Sequence, residues 1–484
     1  MSLVSEHSSQ DSCWMVLHGK VYDITSFVPK HPGGRSILLK NAGRDASVAF
    51  DSVHPVELLD EYLTPDQLLG EVHSGDMAAD RGTRDYKSAS RPEHKPMTPP
   101  EAPSPSAAPT EVPPLESILS IDEIESYAMQ RLSPKAISYY ASATDDEITK
   151  AENNRIYRSI LLRPRVFVDC TECSLATTIL GNSVGMPVYV SPAAMARLAH
   201  PAGEAGIARA CSRFGALQII SKNASLSPGA IVGSGGGPGA VFGWQLYVLK
   251  DLAATERTLA QIRRIPEIRL LVLTLDAPFP GKREADERFK RAEVAAGAPP
   301  QAWGTESALT WRRTLAWLTR HTTLPIVLKG VQTHEDAYAA TLFPAVKGII
   351  VSNHGGRALD TAPTPVQVLL EIRKFCPQVF SSLDVLVDGG IKRGTDVVKA
   401  LALGAKGVGI GRAALYGLAV GGEEGVERVL KILADETMTA MRLLGVKNVS
   451  ELGPQHINVN ALTSRLFDGP PGLEIIDREH RAKL

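Results

Sequence analysis

Eight short apolar runs punctuate residues 187–410, and each gives way to polar residues at its carboxyl end. They are 187–190, 217–220, 242–248, 270–275, 325–328, 348–351, 385–387 and 407–410. Several are apolar without alternation, as strands buried on both faces are. Helical segments such as 202–214 and 395–403 separate them. Parallel strands joined by helical crossovers point to an α/β fold closed as a (β/α)8 or TIM barrel, which places active groups at the carboxyl ends of the strands. Read in order, those ends carry Ser191, Ser221, Gln245 with Tyr247, Thr274 with Asp276, Lys329, Ser352 with His354, Asp388, and Gly411 with Arg412. Residues 282–309 lack periodicity and are expected to form a mobile loop over the barrel mouth. The glycine-rich 233–239 reads as a flexible turn ahead of the third strand, and 401–420 as a strand followed by a turn.

At 484 residues the chain exceeds one ordinary domain. Residues 1–73 form a small unit of their own. Met15-Val16-Leu17 and Gly19–Asp23 read as two strands about a tight turn, with helical stretches at 36–41 and 46–50. Residues 74–114 are rich in Pro, Ser and Ala and are expected to be an extended, mobile tether. Residues 115–484 hold the barrel and a C-terminal tail. A net charge of −1 offers no basic surface for nucleic acid. No apolar run is long enough to span a bilayer, and the first ten residues resemble neither a secretory signal nor a mitochondrial presequence. Five cysteines are too few for a disulfide scaffold. The single C-x-x-C at Cys170 and Cys173 reads as a loop or core pair. The ending Ala482-Lys483-Leu484 is a conservative variant of the peroxisomal Ser-Lys-Leu address, with cytoplasm or mitochondrion as alternatives.

Three histidines stand out. His31 opens His31-Pro32-Gly33-Gly34, and His54 follows a helical segment. Proline stiffens such a turn and glycine lets the backbone pass close to a macrocycle, so the two imidazoles could ligate a haem iron from both sides. His354 could act as a base with Asp276 as the carboxylate that fixes its tautomer. Arg357 can clamp a carboxylate with paired hydrogen bonds, and Tyr139 could add a phenol to that clamp. Asp388-Gly389-Gly390 and Gly409–Arg412 follow the last two strands, where barrels frequently hold phosphate. Lys329 could stabilise a negatively charged cofactor ring.

Asp11-Ser12-Cys13-Trp14, Gly19–Thr25, His31–Gly34, Ala42–Ala46 and His54 together resemble the cytochrome b5 family. That resemblance implies a small α+β haem-binding domain with His31 and His54 as axial ligands of haem b. Residues 115–465 resemble the FMN-dependent 2-hydroxy acid oxidase and dehydrogenase family. The resemblance is carried by Tyr139–Ser142, Leu162–Arg165, Gln245-Leu246-Tyr247, Thr274–Pro278, Lys329-Gly330-Val331, Ser352–Arg357, Asp388-Gly389-Gly390 and Arg393–Asp396. The two in this order resemble the flavocytochrome L-lactate dehydrogenases.

This resemblance implies that His354 takes a proton from a 2-hydroxy acid while Asp276 stabilises the imidazolium. Arg357 and Tyr139 would hold the substrate carboxylate, Tyr247 its hydroxyl, and Lys329 the reduced flavin. FMN would be lined by Ser191, Pro192, Ala193, Ala194, Ser221, Gln245, Thr274, Ser352, Asp388, Gly389, Gly390, Lys392, Gly411 and Arg412, with Lys329 serving cofactor and chemistry alike. Electrons would pass from FMN to haem and on to an external acceptor such as cytochrome c, or to oxygen in a peroxide-forming oxidase. An electron-carrying haem module without catalysis is the remote reading. The family resemblance implies a homotetramer. Two positions depart from the family. Lys392 replaces the usual arginine at the phosphate, losing the planar fork. Asn223 stands where the family has a bulky apolar side chain against the substrate tail, which disfavours a bare methyl and favours a larger or polar tail.

Overall fold

The computed structural model describes residues 2–31, 35–51, 54, 58–72, 112–237, 239–295 and 304–481. Most of the expected tether, the Pro32–Gly34 part of the His31 turn and the 482–484 tripeptide lie outside the described residues. The chain divides into two compact units: Met1–Phe50 with Tyr62–Val112 and Gly297–Pro299, and Asp51–Glu61 with Pro113–Ala296 and Pro300–Leu484.

In the first unit, β1 (Trp14–Leu17), β2 (Lys20–Asp23) and β3 (Leu68–Glu71) form an antiparallel sheet in that order. Leu17 pairs with Lys20, so His18 and Gly19 alone make the turn, both at positive φ (53° and 78°). That geometry matches the right-handed twist of the strands it joins. Val4, Val16 and Val21 cluster beneath the sheet. Helices Arg35–Asn41 and Ser47–Asp51 stand within a residue of their expected bounds.

The second unit is built on eight parallel strands: β4 (Val188–Val190), β5 (Gln218–Ile220), β6 (Phe242–Leu246), β7 (Ile268–Thr274), β8 (Ile326–Val331), β9 (Val346–Val351), β10 (Asp384–Asp388) and β11 (Gly407–Ile410). They pair in chain order, and β11 returns to β4, Ile410 beside Val190, to close the barrel. All eight coincide with the apolar runs. Leu270, Val272, Val327, Ile350 and Leu386 pack into one core cluster, which also takes in Ile179 and Val184. The last two belong to an antiparallel hairpin, Thr177–Ile179 with Asn182–Val184, that the apolar runs did not announce.

The helices that matter for the site are α1 (Ile121–Arg131), α2 (Pro134–Tyr140), α3 (Ile148–Arg155), α4 (Gly203–Phe214), α5 (Pro228–Gly235), α6 (Glu284–Ala295), α7 (Gly394–Ala402) and α8 (Arg412–Leu443). Helix α8 kinks at Gly421 and Gly422, where φ and ψ leave the helical range.

Three local expectations change. The 282–309 loop contains α6. Asp286 pairs with Arg283 and Lys290, Glu284 with Arg288 and Glu287 with Arg291, so i,i+3 and i,i+4 charges hold this helix where apolar periodicity is missing. The glycine-rich turn is partly α5, which Ser227 starts by accepting from Ala230 N, with Pro228 in the first turn. The strand within 401–420 runs into α8 rather than a turn. Among the described residues, no helix is long and apolar enough to cross a membrane. Nor do three or more His, Cys, Asp or Glu side chains gather as a metal site there; Cys170 is exposed and Cys173 half-buried.

Candidate active site

Polar side chains at the carboxyl ends of the strands join into two hydrogen-bonded arcs. In the first, Gln245 at the end of β6 donates to Thr274 Oγ1 of β7 (3.1 Å) and accepts from Ser221 Oγ after β5 (3.4 Å). In the second, Lys329 Nζ of β8 reaches Ser352 Oγ after β9 (2.7 Å) and Asp388 Oδ2 of β10 (3.1 Å), and Ser191 after β4 donates to the same carboxylate (2.9 Å). Lys329 is fully buried. Burial would push its ammonium down, but Asp388 and then Asp276 more than offset this and hold it above its ordinary value. A permanent cation is thus fixed at the mouth of an apolar barrel.

His354 Nδ1 lies 2.8 Å from Asp276 Oδ1. The Asp276 side chain is completely buried, and its Oδ2 has no hydrogen-bond partner. Burial alone would raise this carboxyl, yet His354 and then Lys329 keep it below the usual carboxylate range. With Nδ1 of the half-buried imidazole engaged, Nε2 is the ring nitrogen that remains for a substrate. The loop that carries it is strained: His354, Gly355 and Gly356 follow one another at φ of 57°, 65° and 77°. The side chain of Asn353 holds that loop through a buried reciprocal amide pair with Asn153 of α3 (2.8 and 2.7 Å) and accepts from Gly356 N (3.2 Å). Gly330, at φ 99° in β8, admits Asp276; a Cβ there would stand 2.5 Å from the Asp276 Cβ and Cγ.

Arg357 extends from the same loop. One nitrogen donates to the carbonyls of Tyr139 (2.7 Å), Ser142 (2.9 Å) and Tyr140 (3.3 Å), and the guanidinium lies 5.3 Å from the Tyr139 ring centroid. Burial, then the neighbouring Arg283, pushes Arg357 down to about 9. Such destabilisation of a cation is relieved by an anion. The Tyr247 phenol is raised by burial, with Asp276 and Tyr139 adding and Arg357 and Arg283 opposing. Tyr247 thus feels the charges of Asp276, Arg357 and Arg283.

Arg283 is a site residue that the sequence reasoning missed. Its guanidinium lies 5.6 Å from the Tyr139 ring centroid and pairs with Asp286 (2.7 Å). The usable signal was Gly281-Lys282-Arg283-Glu284, an arginine shortly after the strand that bears Asp276, passed over because it fell in the supposed loop. Glu204 of α4 was also missed. Its buried carboxyl accepts from Ala196 N (2.9 Å) and Ser225 N (2.8 Å), tying together the loops after β4 and β5. Burial raises this carboxyl despite those bonds. Pro192, Ala193 and Ala194 are half-buried on the first of these loops, and Asn223 on the second is exposed, its carbonyl accepting from Met195 N (3.0 Å).

The expected phosphate cations are placed differently. Arg412 donates to the carbonyls of Tyr140 (2.9 Å), Gly355 (3.1 Å) and Ser142 (3.2 Å). Lys392 Nζ lies against Asp122 (2.5 Å) and Glu125 (2.7 Å) of α1. Two carboxylates face the Lys392 ammonium here, so a phosphate would have to compete with them for it. The cofactor reading still fits this mouth. Gly411 precedes α8 without a side-chain cap, and a Cβ added to it would meet nothing within 4 Å, leaving open space at the helix start. His31 and His54 belong to different compact units; His31 lies edge-on to Phe27 (5.7 Å between centroids).

Residues 128–459 match the profile of the FMN-dependent dehydrogenases. The chain belongs to this family. Residues 1–73 match the cytochrome b5-like heme/steroid binding domain. An L-lactate dehydrogenase (cytochrome) from Saccharomyces cerevisiae is 36% identical over 96% of this chain and 80% of its own length. A glycolate oxidase from Spinacia oleracea is 38% identical over 73% of this chain and 97% of its own, matching the barrel without the first domain. Among solved structures, a mutant flavocytochrome b2 with pyruvate bound superimposes with a TM-score of 0.69 at 38% identity, covering 74% of this chain and 91% of that one. The chain is an FMN-dependent 2-hydroxy acid dehydrogenase with a cytochrome b5-like domain, similar to the L-lactate dehydrogenases (cytochrome).

Proposed function

We propose that the enzyme oxidises an (S)-2-hydroxy acid to the 2-oxo acid and delivers the electrons singly, through haem held by His31 and His54, to an external acceptor of the cytochrome c kind. The observation that carries this is the His354–Asp276 pair at 2.8 Å, with His354 on the loop that also carries Arg357 beside Tyr139. Arg357 and Arg283, at 5.3 and 5.6 Å from the Tyr139 ring centroid, offer the substrate carboxylate a cationic seat. Tyr247 positions the hydroxyl. Nε2 of His354 takes one proton, and buried Asp276 stabilises the imidazolium that results. FMN, when bound, accepts the two electrons that leave the substrate carbon, and Lys329 compensates the negative charge that follows them. Asn223 supports a substrate whose tail is larger or more polar than a methyl group. The homotetramer is proposed from the family resemblance alone.

A peroxide-forming oxidase is the second reading. The similarity of the barrel to glycolate oxidases and the Ala482-Lys483-Leu484 ending, which favours a peroxisomal destination, support it. The fused cytochrome b5-like domain supports the first reading over it. An anaerobic screen of 2-hydroxy acids, following flavin bleaching and cytochrome c reduction together, tests the proposal against peroxide release in air. A polar-tailed acid should outperform lactate and reduce cytochrome c. His354→Gln should retain flavin and lose turnover by on the order of 10² or more. Peroxide as the main product, or normal turnover in that variant, would sink it.

A further inference from the structure

Helix α1 holds Lys392 in a way that bears on how tightly FMN can bind. The ammonium lies between Asp122 Oδ1 and Glu125 Oε2, at 2.5 and 2.7 Å. The two acids are three residues apart on α1 and so present one face. The main chain of the same turn is engaged too, since Lys392 N and Arg393 N both donate to Asp396 Oδ2 (3.1 and 3.0 Å). Glu125 also acts on Arg412, whose cationic form it supports against burial. Glu125 therefore pairs with Lys392 after β10 and acts at longer range on Arg412 after β11.

We propose that Asp122 and Glu125 occupy Lys392 as substitutes for a phosphate, and so weaken FMN binding through its phosphate group alone; this rests on the FMN reading above. One ammonium flanked by two carboxylates carries a net charge of about −1 when seen from several ångströms away, so it repels a phosphate dianion instead of attracting it. Recruiting Lys392 to the cofactor requires breaking at least one of the two ion pairs. An ammonium has three N–H donors on a single nitrogen, and two of them already point at acids. An arginine in the same place would keep further donors on its fork. The phosphate is left to the open start of α8 and the backbone of the Gly389-Gly390 turn. Riboflavin, which lacks the phosphate, is the control for every other part of the cofactor.

Full-length protein stripped of flavin, titrated calorimetrically with FMN and with riboflavin, separates the phosphate contribution from the rest. Asp122→Asn/Glu125→Gln should bind FMN about 3- to 10-fold more tightly than wild type, with riboflavin unchanged and with a steeper loss of FMN affinity as salt rises. Lys392→Met added to the double variant should cancel most of that gain, because the gain depends on an ammonium freed for the phosphate. FMN and riboflavin affinities that shift together would mean the acids only hold α1 in place, and that would overturn the proposal. So would an unchanged or weaker FMN affinity in the double variant, or a gain that survives intact when Lys392→Met is added to it. Wild-type protein that takes up neither flavin would overturn the FMN reading and this inference with it.

Discussion

His354 shows what a single residue carries at this site. Its left-handed backbone is uncommon for a residue with a side chain and costs on the order of 1–3 kcal/mol. The following glycines, the Asn153–Asn353 amide pair and the Asp276 bond over-determine it. Asp276 is held below the usual carboxylate range, so folding favours its ionised form. Its contribution to stability is complete at pH above the ordinary aspartate value of about 3.9 and is lost as pH falls through the depressed folded value. Asp276→Asn should therefore flatten the acid limb of stability in urea titrations from pH 2 to 5 and lower kcat by roughly 10²–10⁴. An unchanged acid limb would show that the carboxylate is not ionised in the folded protein. His354, Asp276 and Arg357 were legible in the sequence because they end apolar runs or follow them closely. Asn153 was not, since a buried amide partner 200 residues away leaves no local pattern.

At the scale of elements, the strands were legible and the connections were not. Continuous apolar runs have few other solutions in a chain of this length, and all eight became barrel strands. Helix α6 escaped notice because alternating charges rather than an apolar stripe stabilise it, and Arg283 escaped with it. Turn chemistry was likewise invisible where a close approach depends on a distant neighbour. Gly330 is the clearest case. Gly330→Ala would thrust a methyl group to 2.5 Å from Asp276 at a φ of 99°. This should cost about 2–4 kcal/mol of stability and displace the carboxylate from His354. Thermal melts and kcat measured together check this: a stable variant with normal kcat would mean the strand shifts freely to make room.

For the whole molecule, the order of its parts was readable from motifs, whereas the arrangement of those parts was not, because a Pro- and Ser-rich connection encodes reach without encoding geometry. The two-domain scheme makes one firm demand. His54→Ala should lose haem absorbance and cytochrome c reduction while substrate still bleaches the flavin at nearly the wild-type rate; loss of bleaching in a protein that still melts cooperatively would refute modular electron flow. The hairpin at 177–184, packed into the core at the amino end of the barrel, has a consequence for traffic. The barrel is a cup with a single rim. The keto product has to retreat through the same doorway that admitted its alcohol precursor, so each turnover ends with the exit of one acid before the next can enter.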